Sequence, residues 1–134
     1  MSQPIKLAFL IEDQEVDQVF YARMIDRSGL VQQLQTFTYA DEALDHLRAN
    51  PDAGVDVIFL DINMPRMDGF EFLDKALQEL GSRFENVVVA MLTTSINPKD
   101  QARSLAYDAV KEFISKPLNV EDVQKVARHL SDQH

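Results

Sequence analysis

The chain has 134 residues, a formal net charge of −9 and no cysteine. The missing cysteine excludes a disulfide framework, thiolate chemistry and a Cys-ligated zinc site. The acidic balance points away from nucleic acid and anionic membrane surfaces, both of which need clustered Lys and Arg. The length suits one domain, residues 1–134, able to bury roughly two-thirds of its unfolded surface without a metal or disulfide staple. The apolar run 5–11 is too short to cross a bilayer, and the acids Glu12 and Asp13 that follow it do not fit a secretory signal. A cytoplasmic protein is therefore expected.

Strand-like and helix-like segments alternate along the chain, without repeats or low-complexity runs. Residues 6–11 form an apolar run, as in a strand covered on both faces. Residues 14–28 predict a helix with Val16, Val19, Phe20 and Met24 at helical spacing, and Gly29 stands where a left-handed residue would stop it. Residues 34–39, with Thr and aromatics, predict a second strand. Residues 41–49 predict a short helix burying Ala40, Ala43, Leu44 and Leu47, ended by Asn50-Pro51.

The third strand is expected at 55–60 and the third helix at 70–80, with Leu73, Ala76, Leu77 and Leu80 on its apolar stripe and Gly81 as its stop. Residues 87–92 predict the fourth strand. Asn97-Pro98-Lys99-Asp100 is a strong helix start: a capping amide, a proline at the first helical position and an acid at the positive end of the dipole. That helix is expected to run to about Tyr107. A fifth strand at 110–115 and a last helix, capped by Asn119 and carrying Val120, Val123, Ala127 and Leu130, complete the pattern. Five strand–helix units joined by short connections predict an α/β fold: a doubly wound, five-stranded parallel sheet with helices on both faces.

In such a sheet, sites form beyond the carboxyl ends of the strands. The first strand ends in Glu12-Asp13, the third in Asp61, the fourth in Thr93-Thr94-Ser95 and the fifth in Lys116-Pro117. Three carboxylates brought together repel one another, which makes a hard divalent cation the natural guest; Mg²⁺ takes oxygen ligands and keeps waters or phosphate beside them. A carboxylate can attack phosphorus to give an acyl phosphate. Mg²⁺ and Lys116 would then offset charge on the transferring group, while the Thr93 hydroxyl could bond a further oxygen. The set is suited to phosphoryl transfer.

These segments resemble response-regulator receiver domains, the CheY-like family. Leu10-Ile11-Glu12-Asp13 is similar to the family's acidic pair. Leu60-Asp61-Ile62-Asn63-Met64-Pro65-Arg66-Met67-Asp68-Gly69 is similar to its phosphoacceptor loop, Leu92-Thr93-Thr94 to its switch hydroxyl segment, and Phe113-Ile114-Ser115-Lys116-Pro117 to its aromatic–lysine–proline segment. The intervals, 48 residues from Asp13 to Asp61, 32 to Thr93 and 23 to Lys116, agree with the family. The resemblance implies a flavodoxin-like fold and a protein that accepts phosphate on Asp61. It implies Mg²⁺ held by Asp13 and Asp61, by Glu12 through water, and by the Asn63 backbone carbonyl. It also makes Lys116 a phosphate contact, Thr93 and Phe113 the moving switch residues, and Lys116–Pro117 a cis bond.

Two features vary from the family pattern. Glu12 stands where Asp is common, and the loop Ser95-Ile96-Asn97-Pro98 is one residue longer than in compact chemotaxis-type receivers. That loop resembles those of standalone receivers paired with phytochrome-like histidine kinases. The implied donor is a sensor histidine kinase or a phosphotransfer protein, and the implied output is a protein contact, since no DNA-binding or enzymatic effector is recognisable. The mixed charges Lys99, Asp100, Arg103, Lys111, Glu112, Glu121, Asp122, Lys125 and Arg128 suggest a homodimer through the fourth helix, fifth strand and fifth helix, with Ile96, Leu105 and Tyr107 as apolar contacts.

Competing readings are a degenerate receiver that only binds proteins and a Mg²⁺-dependent phosphohydrolase with an Asp nucleophile. The second is disfavoured by Asn63, a poor acid two residues after Asp61. Phe113 also fits simple core packing. His46, His129 and His134 are too scattered for zinc and read as surface residues.

Overall fold

The computed structural model describes residues 3–132; His134, read above as a surface residue, lies outside them. Five strands, β1 (Ile5–Ile11), β2 (Val31–Phe37), β3 (Val57–Asp61), β4 (Val88–Thr93) and β5 (Val110–Ser115), alternate with five helices. These are α1 (Glu15–Ser28), α2 (Ala40–Ala49), α3 (Gly69–Leu80), α4 (Pro98–Leu105) and α5 (Val120–Asp132). All strand pairs are parallel and the sheet order is β2-β1-β3-β4-β5. The chain leaves β1 toward β2 and returns to the other side of β1 for β3, so the order reverses between β1 and β3.

Burial follows from that order. Every residue of β3 and β4 is buried, whereas the edge strands β2 and β5 are only partly covered. Alternation along the strands feeds two cores. Phe9, Ile11, Ile58, Leu60, Val89 and Met91 face α2 and α3, while Ala8, Leu10, Phe59, Val88, Ala90 and Leu92 face α1 and α5.

The fold is as the sequence predicts, with differences in detail that have local causes. β2 begins at Val31 and ends at Phe37, earlier at both ends than 34–39, because it pairs with β1 from Ile5↔Val31 to Ile11↔Phe37 and Tyr39 precedes α2 as its cap residue. β3 begins at Val57 rather than residue 55. Just before it, the Asp56 side chain accepts the Lys6 amide at 2.8 Å and the Leu7 amide at 3.4 Å, pinning the start of β1. α4 stops at Leu105, short of Tyr107, where Ala106 and Tyr107 turn back to the Arg103 and Ser104 carbonyls. After α3 the chain makes a 3₁₀ turn, Gly81–Phe84, which the sequence reading did not anticipate; it drives Phe84 into the core against Phe72. Along α3, Phe70 and Phe72 are buried, while Leu77 and Leu80 are only half-buried.

The largest correction concerns α1. Val16, Val19 and Phe20 are 81%, 48% and 44% exposed, and the residues that α1 buries are Tyr21 and Ile25. Helical spacing alone admits either stripe; packing against α5 and β1 selects the Tyr21–Ile25 face. The histidines are also more engaged than surface residues would be. His46 lies edge-on to Phe9, and His129 Nε2 is 2.8 Å from Glu112 Oε1. Tyr107 is half-buried, donates its hydroxyl to Asp74 Oδ1 at 2.6 Å and stacks on Phe70, which leaves it poorly placed as a free apolar contact.

Truncating the two faces of α1 should therefore give opposite results. Ile25→Ala is expected to cost about 2–5 kcal/mol, and Val16→Ser less than about 0.5 kcal/mol, in urea unfolding followed by circular dichroism. Equal losses would contradict this placement of the helix.

Candidate functional site

The strand register brings the sequence-predicted residues together. Ile11 is level with Leu60, which sets Glu12 beside Asp61; Asp61 is level with Leu92, and Thr93 with Ser115. The Lys116 amide donates to the Thr93 carbonyl at 2.7 Å, aligning the ends of β4 and β5. Glu12, Asp61 and Thr93 are buried, while Asp13 and Lys116 are half-buried. Glu12, Asp13 and Asp61 each offer a carboxylate oxygen, all within 4.8 Å of one another. Among the described residues they are the one group of His, Cys, Asp or Glu able to hold a metal.

Lys116 reaches back across the sheet into this cluster. Its Nζ lies 2.6 Å from Glu12 Oε1 and 3.2 Å from Asp61 Oδ1. Burial works to lower its pKa, but the hydrogen bond to Glu12 and the charges of Asp61 and Glu12 outweigh burial and the net shift is upward, so the ammonium is retained. Burial, reinforced by the Glu12 charge against the opposing pull of Lys116, pushes the Asp61 carboxyl up to about 7. One ammonium does not neutralise the cluster. Glu12 Oε1 is held by the Lys116 ammonium, while Oε2 accepts the Gln14 amide at 3.1 Å. An all-oxygen donor set with excess negative charge fits a hard divalent cation.

The surroundings hold these groups in place. Gln14, the residue before α1, makes no side-chain cap; its Nε2 donates to Asp13 Oδ2 at 3.3 Å, and Gln18 Nε2 donates to the Glu12 carbonyl at 3.0 Å. Tyr21 was not singled out by sequence. Its ring lies 5.9 Å from Lys116 Nζ, and burial, opposed by the lysine charge, raises its hydroxyl to about 12. The i, i+4 pair Tyr21 and Ile25 was the available signal. Thr93 does not point its hydroxyl at a carboxylate: Oγ1 donates to the Ser95 carbonyl at 2.8 Å and accepts the Ser95 amide at 3.2 Å. Phe113 is half-buried and packs against the α2–α3 core. Asn63 is exposed in the loop after β3. The Lys116–Pro117 bond is cis.

The Asp61–Gly69 loop is tightly folded. Ile62 donates to the Leu92 carbonyl at 3.0 Å, and Gly69 donates to the Ile62 carbonyl at 2.9 Å. A Cβ on Gly69 would lie 2.8 Å from the Asp61 carbonyl oxygen and 3.2 Å from Ile62 Cα. Asp68 then caps α3, accepting the Glu71 amide while its own amide donates to the Glu71 carboxylate. Arg66, in left-handed backbone at φ 71°, pairs with Asp41 and lies over the Tyr39 ring, fastening the loop to the start of α2.

The sequence profile of the response regulator receiver domain matches residues 8–128. The chain belongs to this family. A two-component response regulator from Cytophaga hutchinsonii superposes on the receiver with a TM-score of 0.89 at 28% identity, covering 96% of this chain and 98% of the other. The bacteriophytochrome response regulator AtBRR gives a TM-score of 0.78 at 25% identity, covering 95% and 93%. The probable methanogenesis regulatory protein FilR2 of Methanothrix harundinacea (strain 6Ac) is 26% identical over 129 residues, 94% of this chain and 81% of that protein. Other relatives are far longer: the chain spans 7% of hybrid signal transduction histidine kinase B of Dictyostelium discoideum. Receiver domains act in two-component systems and typically bind Mg²⁺. Among the described residues, no helix is long and apolar enough to cross a membrane.

Two consequences follow from the geometry. In metal-free protein the raised Asp61 pKa means that the folded state holds a proton the unfolded state has released between about pH 4 and pH 7, so this group's contribution to stability falls as pH rises through that window. Asp61→Asn should melt above wild type in EDTA at pH 8, with the gap closing toward pH 4; a pH-independent gap would contradict the assignment. Gly69→Ala must displace the Asp61 backbone and is expected to cost about 1–3 kcal/mol in urea unfolding.

Proposed function

We propose that the protein is a phospho-accepting switch, with Asp61 as the nucleophile and Mg²⁺ as its ion. The observation that carries this reading is the convergence of buried Asp61 with Glu12, Asp13 and Lys116, drawn from three strand ends. Asp13 and Asp61 would hold the ion directly, Glu12 through water, and Asn63 through its backbone carbonyl, in competition with Lys116 for the shared carboxylates. Bound there, Mg²⁺ supplies positive charge to the phosphoryl oxygens and removes the penalty for ionising Asp61.

An Asp61 carboxylate oxygen attacks the donor phosphorus, forming an acyl phosphate as the bond from phosphorus to the donor nitrogen or oxygen breaks. Lys116, already at 3.2 Å, turns its charge to the phosphoryl group. Thr93 exchanges the Ser95 carbonyl for a phosphoryl oxygen, drawing the β4–α4 loop inward, and Phe113 follows. The protein assists its own phosphorylation and dephosphorylation only, and acts on no separate substrate.

The donor is a sensor histidine kinase or a phosphotransfer protein. Similarity to the bacteriophytochrome response regulators AtBRR and RtBRR supports a phytochrome-like kinase. The exposed Val16, Val19 and Phe20 on α1, the helix that follows Asp13 in the chain, would give the donor an apolar surface. Output runs through α4, β5 and α5, where Ile96 and Leu105 are 64% and 68% exposed among mixed charges; a homodimer favoured by phosphorylation suits that face. Action inside the cytoplasm accords with such a donor.

Acetyl phosphate with Mg²⁺ should label wild type stoichiometrically, as read by intact-mass spectrometry. EDTA or Asp61→Asn should abolish labelling, whereas Lys116→Ala should remain labelled but lose phosphorylation-dependent dimerisation. Full labelling of Asp61→Asn would overturn the reading.

A further inference from the structure

The sheet has two free edges, and the chain treats them differently. β5 carries Lys111 and Glu112, and its pairing with β4 shifts register between Val89 and Ala90. Edge charges and irregular pairing are standard defences against a second strand. β2 has neither. Its seven residues, Val31 to Phe37, include no charge, proline or glycine, and its register with β1 is constant throughout.

Among the described residues, no strand pairs with the outer side of β2. Phe37 turns its carbonyl to the Glu12 amide on the β1 side, while at the start of the strand Gln3 donates its side-chain amide to the Val31 carbonyl and its own carbonyl accepts the Gln32 side chain. Alternation along a regular strand then directs the N–H and C=O groups of Gln32, Leu34 and Thr36 outward. The flanking helices leave a groove on each face beside this edge. The α2 side has one of about 530 Å³ lined by Leu7, Gln33, Gln35 and His46, and the α1 side has one of about 370 Å³ lined by Val19, Ala22, Arg23 and Thr36.

We propose that the β2 edge binds a second copy of this chain, strand to strand and antiparallel, about a two-fold axis through Leu34. The strand is its own complement. In that register Leu34 meets Leu34, Gln33 meets Gln35 and Gln32 meets Thr36, with no like charges opposed. Outward N–H and C=O groups of Gln32, Leu34 and Thr36 find partners across the axis. Gln35 adds a specific reason: its Oε1 is shut off from solvent with no hydrogen-bond partner. A turn of its terminal torsion toward the edge would offer that oxygen to the opposing Gln33 amide. This contact is independent of phosphorylation and distinct from the α4–β5–α5 face.

Salt separates the two interfaces. Pairing through an uncharged strand between bodies of net charge −9 is opposed by long-range repulsion, so screening should strengthen it; a contact built on ion pairs should weaken. The test is sedimentation of unphosphorylated full-length protein at about 0.05 and 0.5 M salt, up to about 100 µM, a range that detects weak interfaces. Wild type should shift toward dimer, more so at high salt. Leu34→Lys places like charges on the axis, and Thr36→Pro removes an outward N–H that the fold does not use. Each should weaken association at least about tenfold, while Leu105→Asp should not. Circular dichroism melts verify folding, and Thr36→Pro, at an exposed position, covers the case in which Leu34→Lys unfolds. Backbone amides of Gln32, Leu34 and Thr36 should exchange more slowly as concentration rises. A wild type that stays monomeric at both salts, or a Thr36→Pro protein that dimerises as wild type does, would overturn the proposal.

Discussion

Three acidic side chains crowd the carboxyl edge of a sheet whose central strands have no access to water, and a single ammonium crosses from β5 to meet them. Lys116 touches both Glu12 and Asp61, residues from opposite ends of the first half of the chain, and its removal would leave two buried carboxylates without a cation. An unpaired buried charge is far more costly than a surface ion pair, so the ends of β1, β3 and β5 must be held in register. The pairing of Ile11 with Leu60, of Asp61 with Leu92 and of Thr93 with Ser115 supplies that register.

The same imbalance creates the chemistry. A cluster fully neutralised by protein groups would have no use for a cation or a phosphoryl group. Here Asp61 is pushed up to about 7 and one ammonium faces three carboxylates, so positive charge brought from outside is favoured. The rigidity needed to keep this arrangement comes from backbone. Gly69 packs against the Asp61 carbonyl where no side chain would fit, and Arg66 ties the loop to α2 through Asp41 and Tyr39. On the opposite wall the Thr93 hydroxyl is spent on its own loop.

What surrounds the sheet is asymmetric in a way that bears on partners. α1 offers apolar side chains to solvent, and β5 carries charge, while β2 presents an uncharged strand. Donor, output and self-association can thus occupy separate surfaces around one site.

The alternation of apolar runs with turn and capping residues determined the five strand–helix units, because the central strands had to be buried on both faces and each helix on one. The acids and the lysine at strand ends come together because a parallel sheet gathers its carboxyl ends at one edge, whereas the Thr93 hydroxyl at the same edge bonds its own loop. Sequence could not decide which stripe of α1 is buried, because Val16-Val19-Phe20 and Tyr21-Ile25 are both helically spaced and only packing against α5 and β1 chooses between them. Nor could it place Tyr21 by Lys116, extend β2 back to Val31, or fold Gly81–Phe84 inward, for each depends on which distant segment lies alongside. Charge balance within the cluster was likewise a tertiary outcome: Glu12 and Lys116 stand 104 positions apart in the chain, and only the sheet's order brings them within 2.6 Å.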